Sequence, residues 1–216
     1  MRGNYAVFGL GSFGSKLALE LSKARNNVVV VDNDPQKINE CREYVSEAIV
    51  ADVSNEDVIK ELNVSKFDAV ILGMSSHFED QILSLTLLKQ EGVQKVYAKA
   101  NNVIQERILY RLGADEIIQP EQDVAERLCR RLTLDNISDM FEFKGSAIAE
   151  VTVPAELAGK SLRQLDLRNR HHITVLLMRK PGGSEEDIWS PDVILEKGDL
   201  LTVFGSKRSI VELFEM

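Results

Sequence analysis

From Tyr5 to about Thr133, short apolar, β-branched runs alternate with longer segments whose apolar residues recur at helical spacing. That is the pattern of a parallel sheet covered by helices. The runs at 5–9, 28–32, 47–51, 69–73, 95–98 and 116–118 predict six strands. Between them Leu17, Leu21 and Ala24 share one helical face, Ile82, Leu85, Leu88 and Lys89 a second, and Ile104, Ile108 and Leu112 a third. Six strands with helical crossovers make a complete doubly wound α/β domain. Local signals place several boundaries. Asp34-Pro35 starts a helix with Pro at its first position, Ser54-Asn55-Glu56-Asp57 offers a cap followed by first-turn acids, and Gly92 and Gly113 sit where helices stop.

After Thr133 the alternation fails. Leu134-Asp135-Asn136-Ile137-Ser138-Asp139 is polar, and strand-like pieces follow at 147–153, 173–179 and 200–204. Pro181-Gly182-Gly183-Ser184 reads as a turn joining the 173–179 strand to the segment around Ile188-Trp189, hence a hairpin. Ser206 caps a short last helix through Val211 and Leu213. The domain boundary is placed near Asp135, giving an α/β domain at 1–134 and a smaller α+β domain at 135–216. The second piece is small for a catalytic domain and ample for a ligand or interface module.

Composition narrows the picture without changing it. With 216 residues, 44% hydrophobic and 28% charged, the chain is one or two globular domains at ~150 residues each. The longest apolar stretch, around 69–74, includes Gly73 and falls far short of the ~18 apolar residues of a membrane span. Met1-Arg2-Gly3-Asn4-Tyr5 leads into a strand with no secretory-signal pattern, which points to the cytoplasm. Lys plus Arg number 26 against 34 Asp plus Glu, a formal charge of -8, the wrong balance for neutralising a nucleic-acid backbone. Cys41 and Cys129 lie inside helical patterns without metal-ligand spacing and read as buried free thiols.

Gly9-Leu10-Gly11-Ser12-Phe13-Gly14 follows the first strand and opens a helix. Three spaced glycines alone are a weak signal, but here they occupy the first strand-to-helix turn, and Asp32 ends the next strand 18 residues after Gly14. Gly9 permits the tight turn, Gly11 lets a phosphate approach bare backbone, and Gly14 lets helix pack on strand. The helix start presents unpaired N–H groups to an anion. Asp32 would accept hydrogen bonds from both ribose hydroxyls, and its charge would repel a 2′-phosphate. Asp52 ends the third strand at the same edge, where it would accept from an adenine amino group or else cap a helix. Ser12, Phe13, Asn33 and Val53 adjoin these residues and join them as cofactor-binding candidates. Ser75, in Gly73-Met74-Ser75-Ser76, contacts phosphate or turns the chain. Lys99 follows the fifth strand, where it would meet a phosphate; Glu121, after Pro120, would hold a metal bound to one or else begin a helix.

The groups that are missing also count. Tyr5, Tyr44, Tyr97 and Tyr110 all lack a lysine four residues on, and neither His77 nor His171-His172 is placed for hydride transfer. A dinucleotide-type architecture without an acid or base points to sensing. A small NAD-dependent oxidoreductase, its substrate domain supplied by the second half, is the alternative.

The chain resembles the KTN/RCK family, cytosolic regulatory subunits of Ktr or Trk type potassium transport systems. The likeness covers essentially the whole chain. It rests on Ala6-Val7-Phe8-Gly9-Leu10-Gly11-Ser12-Phe13-Gly14, Val29-Val30-Val31-Asp32, Ala51-Asp52, Val96-Tyr97-Ala98-Lys99-Ala100 and Leu112-Gly113-Ala114-Asp115-Glu116-Ile117-Ile118-Gln119-Pro120-Glu121. Leu157-Ala158-Gly159-Lys160-Ser161-Leu162 and Glu196-Lys197-Gly198-Asp199-Leu200-Leu201-Thr202-Val203-Phe204-Gly205 resemble the family's C-terminal domain. The resemblance implies a Rossmann-like first domain and a non-enzymatic switch: homodimers assemble as an octameric ring at the inner face of the membrane, beneath a potassium channel or transporter subunit. ATP, ADP, NAD or NADH in each crevice changes the dimer hinge. Asp32 would hold the ribose, Asp52 the adenine, the glycine loop the phosphates, and Glu121 a cation, Mg or Ca, shared with the nucleotide. In ATP-responsive Ktr-type proteins the residue after the second glycine is commonly an arginine; here it is Ser12, so the choice among these ligands stays open. Some relatives bind cyclic di-AMP in the second domain through paired aliphatics, an Arg, then Asn or Gly before Ile; this chain has Leu162-Arg163, keeps Arg168 and has His172 before Ile173.

Overall fold

The computed structural model describes residues 2–74, 77–181, 185–187 and 190–215, with 185–187 described by backbone alone. They fall into two compact units, Met1–Gln122 and Asp123–Met216.

The first unit carries β1 (Asn4–Phe8), β2 (Asn27–Asp32), β3 (Glu47–Val50), β4 (Ala69–Leu72), β5 (Val96–Lys99) and β6 (Glu116–Ile118). All pair in parallel in the order β3-β2-β1-β4-β5-β6. This is the doubly wound Rossmann order, and the direction of strand addition reverses between β1 and β4, where such sheets open a crevice at their carboxyl ends. The crossovers are α1 (Ser12–Lys23), α2 (Pro35–Cys41), α3 (Glu56–Glu61), α4 (Phe78–Gln90) and α5 (Val103–Arg111), with α6 (Pro120–Thr133) after β6.

Strand alternation feeds two cores, as a sheet covered on both faces requires. Ala6, Phe8, Val70 and Leu72 face one core with Leu85 and Leu88 of α4. Val7, Val28, Val30 and Ile71 face the other with Ala18 of α1 and Ile38 of α2. Helix starts follow the predicted chemistry: Asp34 accepts from Gln36 N–H with Pro35 at the first position, and Asn55 accepts from Asp57 N–H. Gly92 and Gly113 adopt φ +81° and +99° just past α4 and α5.

Two expectations fail here. The Ile104, Ile108, Leu112 face of α5 does not enter the core; Leu109 does, while Ile104 is 71% exposed. On this short helix the apolar residues surround the axis, and the sheet covers just one line of them. Cys41 is buried as expected, but Cys129 is exposed, because α6 buries none of its residues.

The second unit is a five-stranded sheet, β10-β9-β11-β8-β7, from β7 (Ile137–Phe143), β8 (Ser146–Thr152), β9 (Thr174–Arg179), β10 (Glu185–Asp187) and β11 (Leu200–Gly205). Every pairing is antiparallel. The helices α7 (Leu162–Leu165), α8 (Leu167–His171) and α9 (Lys207–Phe214) complete it. Ala147, Ala149, Val151, Leu201 and Val203 pack with Ile210, Leu213 and Phe214 of α9, whose start is capped by Ser206. β7 begins inside the stretch read as polar: it is an edge strand, and Ile137 and Met140 turn inward across a register irregularity while Phe141 stays exposed. β9 and β10 pair as a hairpin would, but the predicted turn residues Gly182, Gly183 and Ser184, with Ile188 and Trp189, lie outside the described residues. The division between the units falls within α6, and Asp135 lies just past that helix. Among the described residues no helix is long and apolar enough to cross a membrane.

Candidate nucleotide-binding site

A cleft of about 290 Å³ opens at the carboxyl ends of β1 to β5, near the lower end of the ~300–1,000 Å³ range of ligand pockets. Of the candidates, Gly9, Gly11, Ser12, Phe13, Asp32, Asn33, Asp52, Val53 and Lys99 line it. Gly14 stands behind the wall, Glu121 reaches it only through Lys99, and Ser75 lies outside the described residues.

The loop between β1 and α1 is fixed from both sides. Gly9 N–H donates to Val31 O at 2.8 Å, and Gly73 N–H donates to Phe8 O at 2.8 Å. Gly9 sits at φ +91°, where a side chain would strain the backbone and strike Met74. A Cβ on Gly14 would lie 2.0 Å from Gly9 O, and one on Gly73 2.8 Å from the same oxygen, so three glycines are locked together. Gly11 differs: it lines the cleft, and no protein atom lies within 4 Å of the place its Cβ would take. Gly11 is the N-cap of α1, and no side chain caps this helix. The first amides of α1 therefore have no internal side-chain acceptor, the state in which a helix start receives an anion.

Asp32 is nearly buried, 7% exposed. Its Oδ2 accepts from Leu10 N–H at 2.6 Å and its Oδ1 from Asp34 N–H at 2.9 Å, which ties the glycine loop to the end of β2. Each carboxylate oxygen retains a lone pair for a further donor. Asp52 Oδ1 takes the Ser54 N–H at 2.9 Å and the Ser54 hydroxyl at 2.7 Å, bonds that hold its carboxyl below the usual range. The cap of α3 is Asn55, so Asp52 does not cap it.

Lys99 is 8% exposed, and its Nζ lies 2.6 Å from Glu121 Oε1. The lysine holds the exposed Glu121 carboxyl below the ordinary value of 4.5. Gln81 Nε2 donates to Lys99 O at 2.8 Å and fixes the backbone beneath it. Among the described residues no group of three or more His, Cys, Asp or Glu is placed to hold a metal. Sequence reasoning missed Lys37, Gly73, Met74, His77 and Asp80, which also line the cleft. Gly73 was detectable as the small residue ending the strand beside β1; the positions of Lys37 and Asp80 in helix first turns were a weaker signal.

The second unit holds a pocket of about 430 Å³ lined in part by Leu162, Arg163, Arg168, Ile173 and Pro191. Arg163 is engaged twice by Asp192, at 2.7 and 3.2 Å. His172 adopts φ +55°, a conformation that favours Asn or Gly.

Residues 5–120 match the model of the TrkA-N domain, and residues 148–216 that of the TrkA-C domain. Ktr system potassium uptake protein C of Bacillus subtilis (strain 168) is 32% identical over 97% of this chain and 95% of its own length. Ktr system potassium uptake protein A of Vibrio alginolyticus is 34% identical over 95% of this chain and 94% of its own. The crystal structure of the GsuK RCK domain matches with a TM-score of 0.66 at 19% identity, over 99% of this chain and 47% of that one. A GsuK channel bound to NAD matches with a TM-score of 0.66 at 19% identity, over 99% and 39%. This chain thus spans less than half of those longer structures, and the likeness to them is one of fold. By its two domain matches and by relatives above 30% identity along nearly its full length, the chain belongs to the KTN/RCK family, a TrkA-N domain followed by a TrkA-C domain.

Proposed function

We propose that this chain is the nucleotide-sensing regulatory subunit of a potassium channel or transporter, working at the inner face of the cell membrane. One conjunction carries the reading: the uncapped start of α1, the bare Gly11 and the buried, doubly held Asp32 meet in one cleft. An adenine nucleotide suits it. Asp32 takes the ribose, Asp52 and Val53 flank the adenine, and the phosphates rest on the amides from Gly11 onward, with Lys99 within the same wall. The Ktr relatives support the potassium role, and GsuK structures bound to NAD and to ADP support the ligand class.

Glu121 offers a single carboxylate, as Mg sites completed by nucleotide phosphates and water often do. A divalent ion bound with the nucleotide would meet this carboxylate through Oε2, since Oε1 is held by Lys99. ATP and ADP would then differ in their contacts with Lys99 and Glu121, a difference of the usual coupling size, ~1 to 3 kcal/mol. The exposed Ile104 and Tyr110 of α5 with Leu112 just past its end, and Val124, Leu128 and Leu132 of α6, are apolar faces of the kind that a second copy covers. They support homodimers and the octameric ring. In the second unit a cyclic dinucleotide such as cyclic di-AMP would place a phosphate on Arg168.

Calorimetry with ATP, ADP, NAD and NADH at millimolar concentration tests the reading. Binding of at least one is expected; no heat from any of them overturns it. Co-purification with an integral membrane subunit tests the partner. We read the chain as a switch and not an enzyme, a reading that its Ktr relatives support; an absorbance change at 340 nm with small alcohols or acids would establish the oxidoreductase instead.

A further inference from the structure

The ribose end of the cleft is not the purely acidic subsite that Asp32 alone would make. Lys37, at the third position of α2, also lines the cleft, and its Nζ stands 3.6 Å from Asp32 Oδ1. The carboxylate is pinned by Leu10 N–H and Asp34 N–H, whereas the lysine side chain is 42% exposed and rides on a flexible four-carbon stem. A like charge repels a 2′-phosphate by a Coulomb term, and a cation at similar range offsets that term. In dinucleotide-binding sheets, a cation near the end of the second strand is what accommodates a phosphate on the ribose. Lys99 does not serve this end. It lies three strand positions away along β2-β1-β4-β5, roughly 14 Å at the usual strand spacing.

We propose that Lys37 makes the ribose subsite a dual one: Asp32 receives a free ribose diol, and Lys37 receives a phosphate on the ribose 2′-oxygen. The cleft then admits 2′-phosphorylated adenosine compounds, which the sequence, read through Asp32 alone, disfavours. The proposal rests on the nucleotide reading above and specifies the ligand class of the same cleft.

Adenosine 5′-monophosphate and adenosine 2′,5′-bisphosphate differ by the 2′-phosphate alone, so titrating the full chain with both isolates the subsite. The expected result is that the bisphosphate binds within about tenfold of the monophosphate. Lys37→Ala should weaken the bisphosphate roughly tenfold, the loss of one charge-assisted hydrogen bond, with the monophosphate nearly unchanged. Lys37→Arg should preserve the ratio, and Lys60→Ala, which removes an exposed lysine outside the cleft, should leave both affinities alone. An equal loss for both ligands in Lys37→Ala would mean that the lysine only positions Asp32, and an unmoved ratio would mean it does neither; each overturns the proposal. Adenosine 3′,5′-bisphosphate binding as well as the 2′,5′ isomer would reduce the effect to diffuse charge and also overturn it. If the monophosphate binds while the ratio stays put, only this inference fails. If no adenosine compound binds, the nucleotide reading falls with it.

Discussion

At the mouth of the parallel sheet, α1 starts without a side-chain cap, beside a glycine whose missing side chain leaves open space. At the pocket of the second unit, α7 starts with a complete capping box, in which Ser161 and Gln164 each satisfy the other's backbone N–H, and the neighbouring Arg163 is paired with Asp192. The first region leaves its donors unmet and the second meets its own. Orphan amides at a helix start have to be satisfied by something, and a start that lacks an internal partner is where an external anion gains most. Nearness to a cavity does not make that distinction, since both regions border one.

The largest expected effect sharpens this contrast within the glycine loop itself. Gly14→Ala drives a Cβ against Gly9 O and should lower stability by about 3 kcal/mol or more, read from the denaturant midpoint. Gly11→Ala meets no protein atom and should change stability by only about 0.5 kcal/mol while abolishing phosphate binding. Equal stabilities for the two variants would break the division between a packing glycine and a ligand glycine.

Asp32→Ala comes next. Every adenosine ligand with a free ribose diol should weaken by about 1.5 to 3 kcal/mol, the range for hydrogen bonds to a charged group, because that diol is common to ATP, ADP and NAD. Calorimetry showing unchanged affinity for ATP, ADP and NAD would contradict the pose.

Ser161→Ala probes the self-satisfied region, and should cost about 1 kcal/mol of stability without altering nucleotide affinity at the first cleft. A loss of affinity there would show the two units to be energetically coupled.

The smallest effect is one of pH. Lys99 holds the Glu121 carboxyl below 4.5, so the ion pair's contribution is fully present above that pH and fades as the pH falls through the lowered folded value. Glu121→Gln should therefore lower neutral stability slightly, by well under about 1 kcal/mol because the glutamate is exposed, and flatten the acid limb of the stability profile below about pH 4.5 by that same small amount. An acid limb that Glu121→Gln does not alter would contradict that account of the bridge.

The first unit was legible because buried parallel strands are short and β-branched, and because helix starts write their caps into the sequence. The predicted and observed strands differ by a residue at their ends, as at 69–73 against Ala69–Leu72. What stayed hidden depends on contacts distant along the chain. The packing of Gly73 against Gly9 and Gly14 exists only once β4 lies beside β1. Lys37 gains meaning only where α2 brings it to Asp32. The face of α5 that enters the core was misjudged because periodicity marks an apolar stripe without saying what covers it, and here the stripe through Ile104 stays uncovered. β7 was missed because an edge strand with an irregular register lacks clean alternation.

The unequal burial of the two cysteines has a practical side. Cys41 is 1% exposed and Cys129 lies open on α6, the helix in which the two units meet along the chain. The unaltered sequence thus carries one accessible thiol, and a maleimide fluorophore or a nitroxide spin label attached there would report on that helix without any residue having been replaced.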